Sequence, residues 1–102
     1  MNELNADNFA EAINQSRIVV VDFWAQWCGP CRALAPVLAQ IAEEVASDTV
    51  IAKVNVDECP KLSENLGVQS IPTIIFFKDG KEANRIVGMT TKVDILSIID
   101  AL

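Results

Sequence analysis

The chain has 102 residues, 51% of them apolar, with a formal charge of −6 and no histidine. That length and apolar share predict one domain, residues 1–102, with a core that needs neither a metal nor a disulfide merely to hold it together. The acidic balance argues against nucleic acid and anionic membranes as partners, no stretch is apolar enough to span a bilayer, and the missing imidazole removes haem attachment, histidine catalysis and most zinc-site types.

Met1-Asn2-Glu3-Leu4 has neither the basic start nor the apolar stretch of a secretory signal, which predicts a cytoplasmic location. There, structural disulfides are rare and a cysteine pair points to catalysis or metal binding. Three cysteines, an odd number, also argue against a disulfide framework.

In chain order, Asn5 to Gln15 carries Phe9, Ala12 and Ile13 at helical spacing, with Asn5 or Asp7 able to cap the start. Ile18 to Trp24 is β-branched and aromatic without alternation, the pattern of a strand covered on both faces. From Cys28 to about Ala46, the residues Leu34, Val37, Leu38, Ile41 and Val45 follow the helical repeat. Pro36 lies inside that stretch, lacks a backbone donor and crowds the carbonyl of Arg32, so a kink is expected.

Thr49 to Val56 reads as a second strand, apolar except for Lys53 and Asn55. Pro60, Leu62 and Leu66 predict a short helix stopped by Gly67. Thr73 to Phe77 and Glu82 to Val87 read as strands joined across Asp79-Gly80, a strong hairpin signal. Thr91 and Asp94 open a last helix with an apolar face of Ile95, Leu96, Ile98, Ile99 and Leu102. Strands separated by a helix imply a parallel pair with a right-handed crossover, and the hairpin adds an antiparallel pair. The architecture is therefore α/β: a central mixed sheet with helices on both faces.

Cys28 and Cys31 are three residues apart, one helical turn, on one face and within disulfide reach. The ring they close is so small that making or breaking it barely constrains the rest of the chain, which suits a bond that cycles. The helix start offers unpaired N–H groups and the positive dipole end, which favour a thiolate. Cys28, coming first, is expected to be the more exposed and to attack; Cys31 is expected to resolve the mixed disulfide. The competing readings are two buried small side chains, or half of a zinc site lacking further good ligands.

Asp22 interrupts the apolar run, so desolvation is expected to raise its pKa. It can serve as the proton partner of Cys31, with Lys53 modulating the transfer, or the two can be a structural ion pair. Of Trp24 and Trp27, one is expected in the core and one on the surface, Trp27 offering a flat apolar contact to a partner protein. Gly29 and Pro30 set the backbone between the sulfurs, and Pro30 fits a first helical turn without losing a hydrogen bond. Ile71-Pro72 reads as turn chemistry before a strand. Cys59, in a polar stretch before Pro60, reads as partly exposed: an incidental small residue, or a thiol open to oxidation.

The run from Val21 through Asp22, Trp24, Trp27, Cys28, Gly29 and Pro30 to Cys31 resembles the thioredoxin family. Pro36, Lys53, Ser70-Ile71-Pro72-Thr73, Asp79-Gly80 and Val87-Gly88-Met89 extend the resemblance over essentially the whole chain. It implies a three-layer thioredoxin-like fold and a protein-disulfide reductase with no cofactor of its own. The partners it implies are oxidised protein substrates and a flavoprotein or ferredoxin-linked reductase that recharges the chain, a monomeric electron carrier in cell redox homeostasis. Cys28 would be the nucleophile, Cys31 the resolving thiol and Asp22 the buried acid. Pro72 would be a cis-proline facing the cysteines, and Trp27, Gly29, Pro30, Ile71, Pro72, Gly88 and Met89 would receive the target protein. Two features depart from the pattern: Met1 to Leu4 offers at most a frayed edge where many relatives begin with a strand, and Cys59 has no counterpart role.

The alternative from another class is a non-catalytic subunit that stabilises a partner through its apolar patch. A disulfide oxidant or isomerase of the same fold is a further possibility, but its members usually carry histidine between the cysteines.

Overall fold

The computed structural model describes Met1 to Leu102. Its strands are β1 (Asn2–Leu4), β2 (Ile18–Trp24), β3 (Thr49–Asn55), β4 (Thr73–Lys78) and β5 (Lys81–Val87). Its helices are α1 (Phe9–Ala12), α2 (Gly29–Glu44), α3 (Pro60–Asn65) and α4 (Lys92–Ala101). The strands form one sheet in the order β1-β3-β2-β4-β5, with β1, β3 and β2 parallel, β4 antiparallel to β2, and β5 antiparallel to β4 across the hairpin.

β2 has neighbours on both edges and a packed layer on both faces, which explains its unbroken apolar run. Side chains alternate along a strand. Val19, Val21 and Phe23 pack with Phe9 and Ala12 of α1 and with Cys59 at the entry to α3. Ile18 and Val20 point the other way, into Leu34, Leu38 and Ile41 of α2 and Ile95 and Ile99 of α4. Each buried Val, Ile, Leu or Phe among them contributes about 1.5–3 kcal/mol by leaving water. By the same alternation Asp22 belongs to the face that α2 covers.

The local signals act as their chemistry dictates. Asp79 and Gly80 both take positive φ, 52° and 81°, which matches the twist of a tight hairpin. The Thr91 hydroxyl accepts the N–H of Asp94 at 3.2 Å and caps α4. Pro36 lies inside α2, which continues past it to Glu44.

Two expectations are corrected. The N-terminal segment is not a frayed edge: β1 pairs with β3 in register, Glu3 opposite Lys53, and Leu4 is buried in the core. The open edge of β3 supplies hydrogen bonds, and Leu4 supplies the apolar anchor that a three-residue strand needs. The first helix is shorter than its periodicity implied. Neither Asn5 nor Asp7 caps it: the N-cap is Asn8, which makes no side-chain capping bond, while the Asn5 side chain accepts the N–H groups of Asp7 and Asn8 in a turn that delays the helix to Phe9. Local side-chain bonds of this kind compete with helical ones.

Candidate active site

The site lies where β2 ends and α2 begins. Trp24 closes the strand, Ala25 is fully buried, and Cys28 stands at the N-cap of α2 in an extended conformation. Its Sγ accepts the backbone N–H of Cys31 at 3.2 Å. This N–H has no partner within the helix, so the sulfur takes the place of a capping oxygen. Gly29 and Pro30 follow in the first turn, exposed, and Pro30 costs the helix no bond there.

Cys28 and Cys31 are joined as a disulfide, their Cα atoms 5.2 Å apart. Trp24, Val56 and Ile71 pack against them. Cys28 is the more exposed of the two as expected, 5% accessible against 2% for Cys31, although both are buried and neither sulfur stands out from the surface. The neighbouring side chains close over both in the disulfide form.

The other wall is Ile71-Pro72, which carries a cis peptide bond. Pro72 is buried, and its carbonyl accepts the N–H of Gly88 at 2.8 Å, bringing the β5 end to this wall. Trp27 is 69% exposed, and its Nε1 donates to Asp57 at 2.8 Å. With Val56, Val68 and Ile71 it lines an apolar depression of about 360 Å³. Met89 is exposed and borders a separate depression with Ile86, Asp94 and Ile98.

Asp22 is buried, and its Oδ1 has no hydrogen-bond partner. Desolvation pushes its pKa up to about 7, against the lowering pull of Lys53 and with a smaller upward push from Glu3. The structural ion pair between Asp22 and Lys53 does not form. Although opposite Asp22 in register, Lys53 reaches the other way, with Nζ 3.9 Å from Glu3 Oε1 and 4.8 Å from the centre of the Trp24 ring. Cys59 is also corrected: it is a free thiol buried in the core, not a partly exposed one. No three Cys, Asp or Glu side chains converge as a metal site.

Comparison with known proteins decides the relationship. The Thioredoxin family model matches residues 1–101. The chain belongs to the thioredoxin family.

A thioredoxin of Chlamydia caviae is 46% identical over 97 residues, covering 95% of this chain and 93% of its own length. A thioredoxin of Alicyclobacillus acidocaldarius is 48% identical over 85 residues, covering 83% and 81%. A solved thioredoxin variant from Halobacterium salinarum superposes with a TM-score of 0.89 at 31% identity, covering 98% of this chain and 89% of that one. Cys28 and Cys31 supply the thioredoxin dithiol, and the activity is protein-disulfide oxidoreduction. Its partners are substrate proteins and a reductase. No helix is long and apolar enough to cross a membrane.

Two residues that hold the tryptophans near the cysteine pair escaped the sequence reading. Asp57 follows the second strand without any pattern of its own, and only the fold shows that it holds the Trp27 indole. Glu3 stood in a segment read as an edge, yet it meets both Lys53 and Trp24.

Proposed function

We propose that residues 1–102 form one domain acting as a general reductant of protein disulfides, with Cys28 as nucleophile, Cys31 as resolving thiol and Asp22 as its proton partner. The reading rests above all on the Cys28 sulfur at the N-cap of α2, accepting the Cys31 N–H. The same N–H and the helix dipole stabilise a thiolate there, which is the attacking species.

In the first step the Cys28 thiolate attacks one sulfur of the substrate disulfide. A Cys28–substrate bond forms, the substrate S–S bond breaks, and the other substrate sulfur leaves as a thiolate that takes a proton from solvent. In the second step Cys31 gives its proton to the Asp22 carboxylate and attacks the Cys28 sulfur. The Cys28–Cys31 disulfide forms, and the second substrate thiolate leaves. Two electrons have then passed from the dithiol to the substrate.

Support for the Asp22 role comes from its burial on the α2 face and a pKa of about 7, matched to proton exchange at neutral pH. Lys53 modulates that exchange through its charge. Trp27, Ile71, Pro72, Gly88 and Met89 receive the substrate chain, the exposed Trp27 supplying a flat apolar contact. A flavoprotein or ferredoxin-linked reductase restores the dithiol, making the chain a cytoplasmic, monomeric electron carrier.

The test is reduction of a small disulfide-bonded protein by dithiothreitol with and without catalytic amounts of the chain. Acceleration by the wild type, lost in Cys28→Ser, is the expected result. Substrate binding without acceleration would overturn the reading in favour of a partner-stabilising subunit.

Pro30→His is expected to make the pair more oxidising, because an imidazolium in the first turn of α2 would stabilise the thiolate of the reduced form. The measured reduction potential should rise by tens of millivolts, where about 30 mV is worth roughly 1.4 kcal/mol for two electrons. An unchanged potential would show that position 30 does not set it.

A further inference from the structure

The register of the sheet places Glu3, Lys53, Asp22 and Ile74 in one row across β1, β3, β2 and β4. Residues directly opposite each other in neighbouring strands share a face. The row therefore alternates in charge from the sheet edge inward and ends in an apolar residue. The middle of its three charged members, Lys53, is turned outward. Lys53 Nζ lies 3.9 Å from Glu3 Oε1 and over the Trp24 ring, while the second Glu3 oxygen accepts the Trp24 Nε1–H at 3.2 Å. Trp24 itself packs against the cysteine pair.

We propose that Glu3 is a positioning residue of the redox site: by holding Lys53 and the Trp24 indole toward the sheet edge, it keeps the Lys53 ammonium out of hydrogen-bonding distance of the buried Asp22 carboxyl. The consequence of that placement for catalysis rests on Asp22 being the proton partner of Cys31.

Other sources of charge around Asp22 are few. Lys53 faces it from β3, and Glu3 stands beyond Lys53 on β1. The β4 neighbour is Ile74, the α2 and α4 contacts of this face are Leu34, Leu38, Ile95 and Ile99, and the Cys28–Cys31 disulfide does not titrate. Strands are about 4.8 Å apart, so Glu3 and Asp22 stand nearly 10 Å apart at the backbone. At that range, with Glu3 partly in water, direct repulsion is the smaller upward push on Asp22. The larger effect is the diversion of Lys53, whose ammonium would lower the Asp22 pKa if it turned inward to within hydrogen-bonding distance.

Glu3→Gln separates charge from hydrogen bonding, since glutamine can still accept from Trp24. The Asp22 carboxyl is to be titrated by ¹³C NMR in the oxidised protein, where the paired cysteines are silent. The Asp22 midpoint is expected to fall by about one pH unit in Glu3→Gln. In the Lys53→Met background the same substitution should shift it by less than half as much. An Asp22 midpoint that stays put in Glu3→Gln overturns the proposal, and a lowered Tm beside it would mark Glu3 as merely structural. An equally large shift without Lys53 also overturns it, since Glu3 would then act directly. The titration needs no turnover. If the midpoint moves but the pH profile of mixed-disulfide resolution does not follow, the positioning role stands and the proton role of Asp22 fails.

Discussion

Cys31→Ser is expected to leave the protein covalently caught on its substrates through Cys28. The substitution keeps what the first step needs. The donor to the Cys28 sulfur is the backbone N–H of residue 31, which serine retains, and α2 keeps the same first turn. Serine is close to cysteine in volume and leaves no substantial cavity among Trp24, Val56 and Ile71. The second step, however, loses its nucleophile. Release then depends on a thiol arriving from solution at millimolar concentration, instead of one held a helical turn away. Effective molarities of well-placed intramolecular groups exceed such concentrations by many powers of ten, so turnover should drop on the order of 10³-fold or more. Alkylation followed by mass mapping should find the substrate bonded to Cys28. A bond at Cys59 would overturn the assignment, and its burial in the core argues against that outcome. Cys28→Ser should trap nothing.

The elements read correctly from sequence are those whose signals are local or whose pattern is long. Ile18 to Trp24 could be read as a doubly covered strand because its two faces meet different layers, and both are apolar. The Asp79-Gly80 turn needs two positive φ angles, a demand few residue pairs meet. Thr91 caps α4 through a contact within one turn. The strand β1 had no such signal. Three residues cannot show a period, and their pairing depends on the edge of β3, fifty residues away in the numbering of the partner Ala52 opposite Asn2. The first helix was over-read because periodicity at Phe9, Ala12 and Ile13 ignores the bonds that the Asn5 side chain offers the backbone.

The site divides along the same line. The cysteine spacing and the buried acid stand within one stretch of chain, so both were legible. Cys59 misled because its sequence neighbours are polar, while its side chain turns into the core beside Phe9 and Val21. Lys53 was placed beside Asp22 correctly, and of its two readings the ion pair fails, since its actual partner comes from β1. Its direction was set by Glu3, a residue whose role exists only once the sheet is assembled.

Asp22→Ala is expected to stabilise the oxidised protein at pH 8 while slowing resolution of mixed disulfides. Asp22 carries a pKa of about 7 in the fold against 3.8 in a free carboxyl, chiefly because burial penalises the charge. A folded pKa above the unfolded one means that the native state binds the proton more tightly. Between about pH 4 and pH 7 the native carboxyl is protonated while the unfolded one is ionised, so this group's contribution falls as pH rises. The deficit is complete above pH 7. About three pKa units correspond to about 4 kcal/mol, and the cavity left by alanine returns part of it, so a net gain of about 2–3 kcal/mol is expected at pH 8. Near pH 3, below both values, the electrostatic gain vanishes and the variant should be no more stable than the wild type. Urea unfolding of both proteins at pH 3, 5.5 and 8 checks this, the gain growing with pH across the series. A loss at pH 8 would favour a stabilising ion pair with Lys53, contrary to the direction in which Lys53 points. The kinetic half has the same origin. Without the carboxyl, Cys31 must give its proton to whatever water reaches a site closed over by Trp24, Val56 and Ile71. The desolvation that makes Asp22 costly to the fold also brings its proton affinity to neutrality, where it can accept from Cys31 and release again within one cycle.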